Sequence, residues 1–191
     1  MIEVRVARRE DADALAAAHI EGWRVGYRHL LPADLLDATE FATQRIERWR
    51  AWTWADGIEG ARMFVASAHG QVVGFVTCGP ERTQPLCDEA VPGEGGGSTG
   101  ERAEIYAFYL HPDAWGSGAA PALMARCLRH LREAGYPAAV LWVLSDNPRG
   151  RAFYEKAGWA PTGRESLFEG PRTAARLAEP LPECEYAIRL H

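Results

Sequence analysis

Ile2, Val4 and Val6 alternate with Glu3, Arg5 and Ala7, the period of a strand with one buried face. Asp11 is read as an N-cap for a helix, and Leu15, His19 or Ile20, Trp23 and Tyr27 then recur at helical spacing. Most of that stripe is core. Trp23 and Tyr27 fall near its end, where the chain turns at Leu31-Pro32, and are candidates to line a pocket. A short helix is expected over Ala33–Leu36, and a third from about Glu40 to Trp54 with Ile46, Trp49 and Trp52 on one face. Its tryptophans are read first as packing residues.

Met63–Ala68 and Gln71–Cys78 read as strands of a hairpin that turns at His69-Gly70. From Gly79 to Arg102 the chain is rich in Gly, Pro, Glu and Ser with little to bury, and is expected to be a long surface insertion. Ala103–Leu110 returns to strand, breaks at His111-Pro112, passes a Gly-rich turn and continues as a helix to about Glu133. Leu123, Cys127, Leu128 and Leu131 form that helix's inward stripe, and Gly135 is placed to end it. The run AAVLWVL at Ala138–Leu144 suits a strand buried on both faces. Asn147 and Pro148 open a helix that stops before Gly158. A strand begins near Trp159, Glu165–Leu181 reads as irregular, and Glu183–Leu190 alternates as a last strand. Strand–helix–strand from Ala103 to Leu144 implies a right-handed crossover between parallel neighbours, and the other strands can pair antiparallel. The expected fold is a mixed, mostly antiparallel α/β sheet of about seven strands with helices on both faces, one domain spanning residues 1–191.

Composition narrows the function. The 191 residues are 47% hydrophobic and 25% charged, with a formal charge of −5, which argues against a general nucleic-acid binder. Cys78, Cys87, Cys127 and Cys184 have neither C-x-x-C nor metal spacing and read as reduced thiols of a cytoplasmic protein; no metal is expected. The charged, alternating N-terminus does not read as a secretory signal, and no apolar run is long enough to span a membrane.

A Gly-rich turn feeding a helix N-terminus is a cradle for phosphate, because free backbone N–H groups and the helix dipole both favour an anion. With that turn, LHPDAWGSGAAPALM, and the downstream NPRGRAFYEKAGW, the chain resembles the GCN5-related N-acetyltransferase (GNAT) superfamily over nearly its whole length. The first motif looks like the family's coenzyme A pyrophosphate loop and the second like the helix that follows it. The resemblance implies acetyl-CoA as co-substrate, a small-molecule or peptide amine as acceptor, and a homodimer as a feasible assembly. It implies cofactor contacts from Phe108, Leu110, Trp115, Gly116, Ser117, Gly118, Ala119, Ala120, Asn147 and Tyr154. Trp115 departs from the family pattern, which has Arg or Gln there. Loss of one hydrogen bond to a charged group weakens coenzyme binding by roughly 1.5–3 kcal/mol unless another group compensates.

Chemistry in this family is direct transfer, in which a neutral amine attacks the thioester carbonyl, an oxyanion develops and a thiolate leaves. It calls for a base, oxyanion donors and an acid. The resemblance assigns the acid to Tyr154, the oxyanion donor to the N–H of Leu110 and the base to Glu104, the last often acting through water. Core packing for Tyr154, a helix cap for Asn147 and a solvated strand end for Glu104 are the bland alternatives. Trp23, Tyr27 and Tyr106 are expected at the acceptor. Arg149, Arg151 and Lys156 are open between the coenzyme's 3′-phosphate and an exposed basic face. A non-catalytic acyl-CoA-binding or regulatory module, motivated by Trp115, and transfer of another acyl group or to another acceptor stay open as alternatives.

Overall fold

The computed structural model describes residues 1–51, 60–82, 98–170, 177 and 179–190. Seven strands form one sheet: β1 (Ile2–Val6), β2 (Arg62–Ala68), β3 (Gln71–Arg82), β4 (Ser98–Leu110), β5 (Ala138–Leu144), β6 (Ala160–Phe168) and β7 (Leu181–Arg189). Their order is β1-β2-β3-β4-β5-β7-β6, and every neighbouring pair is antiparallel except β4–β5. Helices α1 (Ala12–Gly26), α2 (Ala33–Asp37) and α3 (Thr39–Ala51) precede β2. Helix α4 (Ala119–Glu133) makes the crossover from β4 to β5, and α5 (Pro148–Lys156) follows β5.

The period of two in the strands divides the core between two layers. Phe64 and Ala66 of β2 pack with Leu123, Cys127 and Leu131 of α4, whereas Met63 and Val65 pack with Leu15 and Trp23 of α1 and Phe41 and Trp49 of α3. The β2–β3 hairpin turns at His69 (φ 53°) and Gly70 (φ 82°), the paired positive φ values that match the strand twist.

Two features open the middle of the sheet. β4 and β5 are paired only at Ala103–Ile105 against Ala139–Leu141. Just beyond, Thr77 faces Ala107 while Cys78 faces Ile105, so Tyr106 is an extra residue on β4. A bulge of this kind bends its strand and raises its twist, which turns the C-terminal half of β4 away from β5. Helix α1 crosses that half closely at Gly22, where a Cβ would come within 3.3 Å of the Leu110 carbonyl.

Several sequence expectations change. Both ends of the stretch expected as an insertion are strand, since β3 continues through Pro80 to Arg82 and β4 starts at Ser98, with Arg82 opposite Ser98; residues 83–97 lie outside the described residues. Glu165–Phe168 is the end of β6. Its side chains look irregular because β6 is an edge strand and most of them meet solvent. Asp11 does not cap α1 with its side chain. Its carboxylate binds the Arg5 guanidinium through two 2.7 Å bonds and accepts from the Arg8 N–H. The end of the third predicted helix, including Trp52 and Trp54, lies outside the described residues, as do 171–176 and 178. Cys78 and Cys127 are buried free thiols. Among the described residues no helix is long and apolar enough to cross a membrane, and no group of metal-ligating side chains occurs.

Candidate active site

The parted strands form one wall of a cavity of about 720 Å³ that runs from the start of α4 to the faces of α1 and β7. At one end a 3₁₀ turn, Pro112–Ala114, leads into Trp115 and then Gly116 (φ 78°) and Gly118 (φ 91°). A Cβ would meet nothing within 4 Å at either glycine, so the positive φ alone demands glycine. The Ser117 hydroxyl donates to the Ala114 carbonyl (2.7 Å) and accepts from the Ala119 N–H (3.3 Å), while the Ser117 N–H also donates to Ala114. Gly116, Gly118 and Ala120 line the cavity, and their N–H groups make no hydrogen bond within the loop. With Gly118 as N-cap of a fifteen-residue helix, these donors and the helix dipole together make an anion cradle.

The strand edge supplies a second row of donors. The His111 N–H donates to Val73 on β3, so the N–H of Leu110, one residue back, points the opposite way into the gap that β5 has left. Phe108, two residues further back, repeats that direction. The Leu110 carbonyl accepts from Trp115 Nε1 at 3.4 Å, which ties the loop to the strand. Across the gap, Asn147 Oδ1 accepts from the Gly150 N–H at 2.9 Å and caps α5, with Pro148 in its first turn. Gly150 makes this cap possible, since a Cβ there would lie 2.7 Å from Asn147 Nδ2. One turn later Tyr154 lines the cavity beside Phe108 and Phe153, and its hydroxyl makes no hydrogen bond to the described residues. Burial holds its phenol well above the ordinary tyrosine pKa.

At the other end the lining turns polar. Glu104 is buried, and its carboxylate accepts from Arg82 through Nη2 (2.5 Å), Nε (3.2 Å) and the backbone N–H (2.9 Å). The same guanidinium lies over the Tyr106 ring, whose hydroxyl donates to the Pro80 carbonyl; burial and the nearby Glu104 charge push that phenol up. Glu183 of β7 also lines the cavity. Burial first, and the Glu104 charge second among the raising influences, hold Glu183 above the usual carboxylate range, against the Ser166 hydroxyl and Arg82. Trp23 is 2% exposed and mostly packed, against Tyr27, Phe41 and Phe168, while Tyr27 is half-buried on the wall. The His29 ring bonds the Asp146 carbonyl at 3.1 Å and joins the loop after α1 to the loop before α5.

Residues 27–159 match the model of the acetyltransferase (GNAT) family. The chain belongs to that family. It is 29% identical over 149 residues to the uncharacterized N-acetyltransferase YuaI of Bacillus subtilis, spanning 78% of this chain and 75% of that one. It is 31% identical over 127 residues to mycothiol acetyltransferase of Streptomyces coelicolor, covering 66% of this chain and 35% of that longer protein. An N-acetyltransferase from Staphylococcus aureus superposes with a TM-score of 0.64 at 19% identity, covering 100% of this chain and 99% of the other. The PaiA N-acetyltransferase of Thermoplasma acidophilum, solved in complex with coenzyme A, gives 0.62 at 16% identity, with 97% and 98% covered. At these identities the likeness is one of fold.

On the GNAT frame the predicted site residues separate into groups. Phe108, Leu110, Trp115, Gly116, Gly118, Ala120, Asn147 and Tyr154 line one stretch of the cavity. Ser117 and Ala119 do not line it; the Ser117 hydroxyl is taken up by the loop's own Ala114 carbonyl and Ala119 N–H. Glu104 and Tyr106 line the polar end beside Arg82, and Trp23 and Tyr27 line the side formed by the end of α1. Of the three cations left open, Arg151 bonds Tyr186 Oη and the Ser145 carbonyl, neither Arg151 nor Lys156 lines the cavity, and Arg149 does. Sequence reasoning missed Arg82, hidden in a stretch read as loop, and Glu183, which the pattern marked only as the first residue of a strand.

Proposed function

We propose that this GNAT protein transfers an acetyl group from acetyl-CoA to the primary amine of a small molecule or peptide. The observation that carries the reading is the cavity's two unlike ends, an anion cradle of backbone N–H groups and an acceptor end with a carboxyl held above its usual range by burial. Acetyl-CoA, when bound, supplies the activated acyl group as a thioester. Gly116, Gly118 and Ala120 N–H groups fit its pyrophosphate, and the N–H groups of Phe108 and Leu110 fit its pantetheine arm along the strand edge. The Leu110 N–H is then the donor for charge developing on the carbonyl oxygen. The Tyr154 hydroxyl, protonated across the physiological range, donates to the leaving sulfur.

The proposed base differs from the one expected. Glu104 was the expectation, but the lone pairs of both its oxygens are engaged by Arg82. Glu183 has Ser166 as its hydrogen-bond partner and a raised pKa, which suits a group that must take a proton near neutrality. Glu183 is therefore the proposed base and Glu104 the group that holds Arg82. Trp23, Tyr27 and Tyr106 form the acceptor wall, and a carboxylate there favours a cationic amine. The test is coenzyme binding by calorimetry, followed by free-thiol release from acetyl-CoA across polyamines, aminoglycosides, amino acids and peptides. Turnover with one amine class is expected. Tight binding with no turnover on any amine would point to a coenzyme-binding module that kept the fold.

A further inference from the structure

We propose that Arg149 is a pyrophosphate ligand seated on Trp115, so that the side-chain cation of the anion cradle comes from α5 and not from the loop. The inference rests on the acetyl-CoA reading above. Arg149 projects from the first turn of α5 into the cavity, and its guanidinium lies over the face of the Trp115 indole. Trp115 immediately precedes Gly116, and its ring is anchored by the bond from Nε1 to the Leu110 carbonyl. The stack therefore holds the guanidinium next to the backbone N–H groups that face the cavity.

The charge environment separates Arg149 from the arginines of β3, β4 and β6 and from its neighbour on α5. Arg82 is paired with Glu104, Arg102 with Glu81, Arg164 with Glu185, and Arg151 bonds Tyr186 and Ser145. Arg149 has no ion pair or hydrogen bond with the described residues, and burial lowers its pKa with only Tyr27 opposing. A partly desolvated guanidinium without a carboxylate is an electrostatic demand for an anion from outside the chain. An aromatic seat fixes the planar fork in advance, so less side-chain freedom is lost when phosphate oxygens engage it. Tryptophan at position 115 thus changes what the loop contributes, from a side-chain donor to a platform for a cation.

Calorimetric titration of wild type, Arg149→Gln, Trp115→Leu and the double variant with coenzyme A and with 3′-dephospho-coenzyme A tests this. Arg149→Gln is expected to weaken both ligands by the same factor, about tenfold to a hundredfold for one charge-assisted contact. Trp115→Leu should weaken both by less, and the double variant should bind no worse than Arg149→Gln alone. Loss confined to coenzyme A would mean that Arg149 reads the 3′-phosphate, and additive losses would mean that Trp115 does not act through it; either overturns the proposal, as does unchanged binding by Arg149→Gln. Wild type that binds neither ligand would instead sink the acetyl-CoA reading itself.

Discussion

In the function proposed, the two ends of the cavity recognise by different means. The coenzyme end is built from backbone: three loop N–H groups, two strand-edge N–H groups, and a helix dipole. These donors come from one short continuous stretch, Phe108–Ala120, and a second, Asn147–Tyr154, adds the side chains of Asn147, Arg149 and Tyr154. The acceptor end is built from side chains, and they arrive from the cap of α1 and from β3, β4, β6 and β7, as Tyr27, Arg82, Glu104, Phe168 and Glu183. Backbone donors survive most substitutions, which is why the loop can carry Trp115 and keep its shape. Side-chain recognition changes with each residue, so the acceptor end is where members of one fold can diverge in substrate.

The largest expected effect falls where the two ends meet. Tyr154→Phe removes the hydroxyl and leaves the ring packing with Phe108 and Phe153, so kcat should fall on the order of a hundredfold with little change in coenzyme KM. Because burial raises the Tyr154 pKa, its acid form persists above the ordinary tyrosine range near ~10. The wild-type kcat profile should therefore show no basic limb from this group below about pH 10. A Phe variant with full kcat, where chemistry limits turnover, removes Tyr154 as the acid.

Within the acceptor end, Glu183 and Glu104 should respond oppositely. A base must be deprotonated to work, and a raised carboxyl pKa places the acidic limb of kcat/KM above the normal glutamate range, activity being lost as pH falls through it. Glu183→Gln should abolish that limb and lower kcat/KM by roughly tenfold to a hundredfold, with Tm nearly constant. Glu104→Ala strands the buried Arg82 cation and should cost about 3–5 kcal/mol, a fall in Tm on the order of 10 °C. If the limb disappears in Glu104→Gln and persists in Glu183→Gln, the assignment is reversed.

How much of this was legible in the sequence follows from the same contrast. The strand period, the Asn147-Pro148 helix start and the glycines at 116 and 118 are local signals, and local signals carry the coenzyme end. Arg82 was hidden because Gly79-Pro80 reads as a chain break. In the structure Pro80 sits in β3 beside a register shift, where its missing N–H interrupts little, and its carbonyl takes the Tyr106 hydroxyl. Glu183 was visible as a residue but not as a neighbour of Glu104, since only the β5–β7 pairing brings β7 to the cavity. The bulge at Tyr106, which opens the gap between β4 and β5, has no sequence mark beyond the strand itself.

A smaller effect tests whether the coenzyme end depends on backbone shape. Gly118→Ala meets no atom, so the cost is that of holding an alanine at φ 91°, roughly 1–2 kcal/mol. If the loop relaxes to relieve it, its N–H groups turn and coenzyme affinity should drop by about tenfold, while the KM for the amine stays within twofold or so. A matching loss for the amine would mean that the two ends do not act separately.

The finest distinction concerns Asn147, whose oxygen caps α5 and which also lines the cavity. Asn147→Ala removes both functions and should cost about 1 kcal/mol, or ~2–4 °C in Tm, together with a few-fold loss of coenzyme affinity. Asn147→Asp separates them. Aspartate caps a helix as well as asparagine and adds favourable charge at the dipole, so Tm should hold or rise slightly. It has no N–H to give, however, so coenzyme affinity should stay as low as in the alanine variant. If Asn147→Asp instead binds coenzyme like wild type, Asn147 serves the helix alone, and α5 touches the coenzyme only through Tyr154 and Arg149.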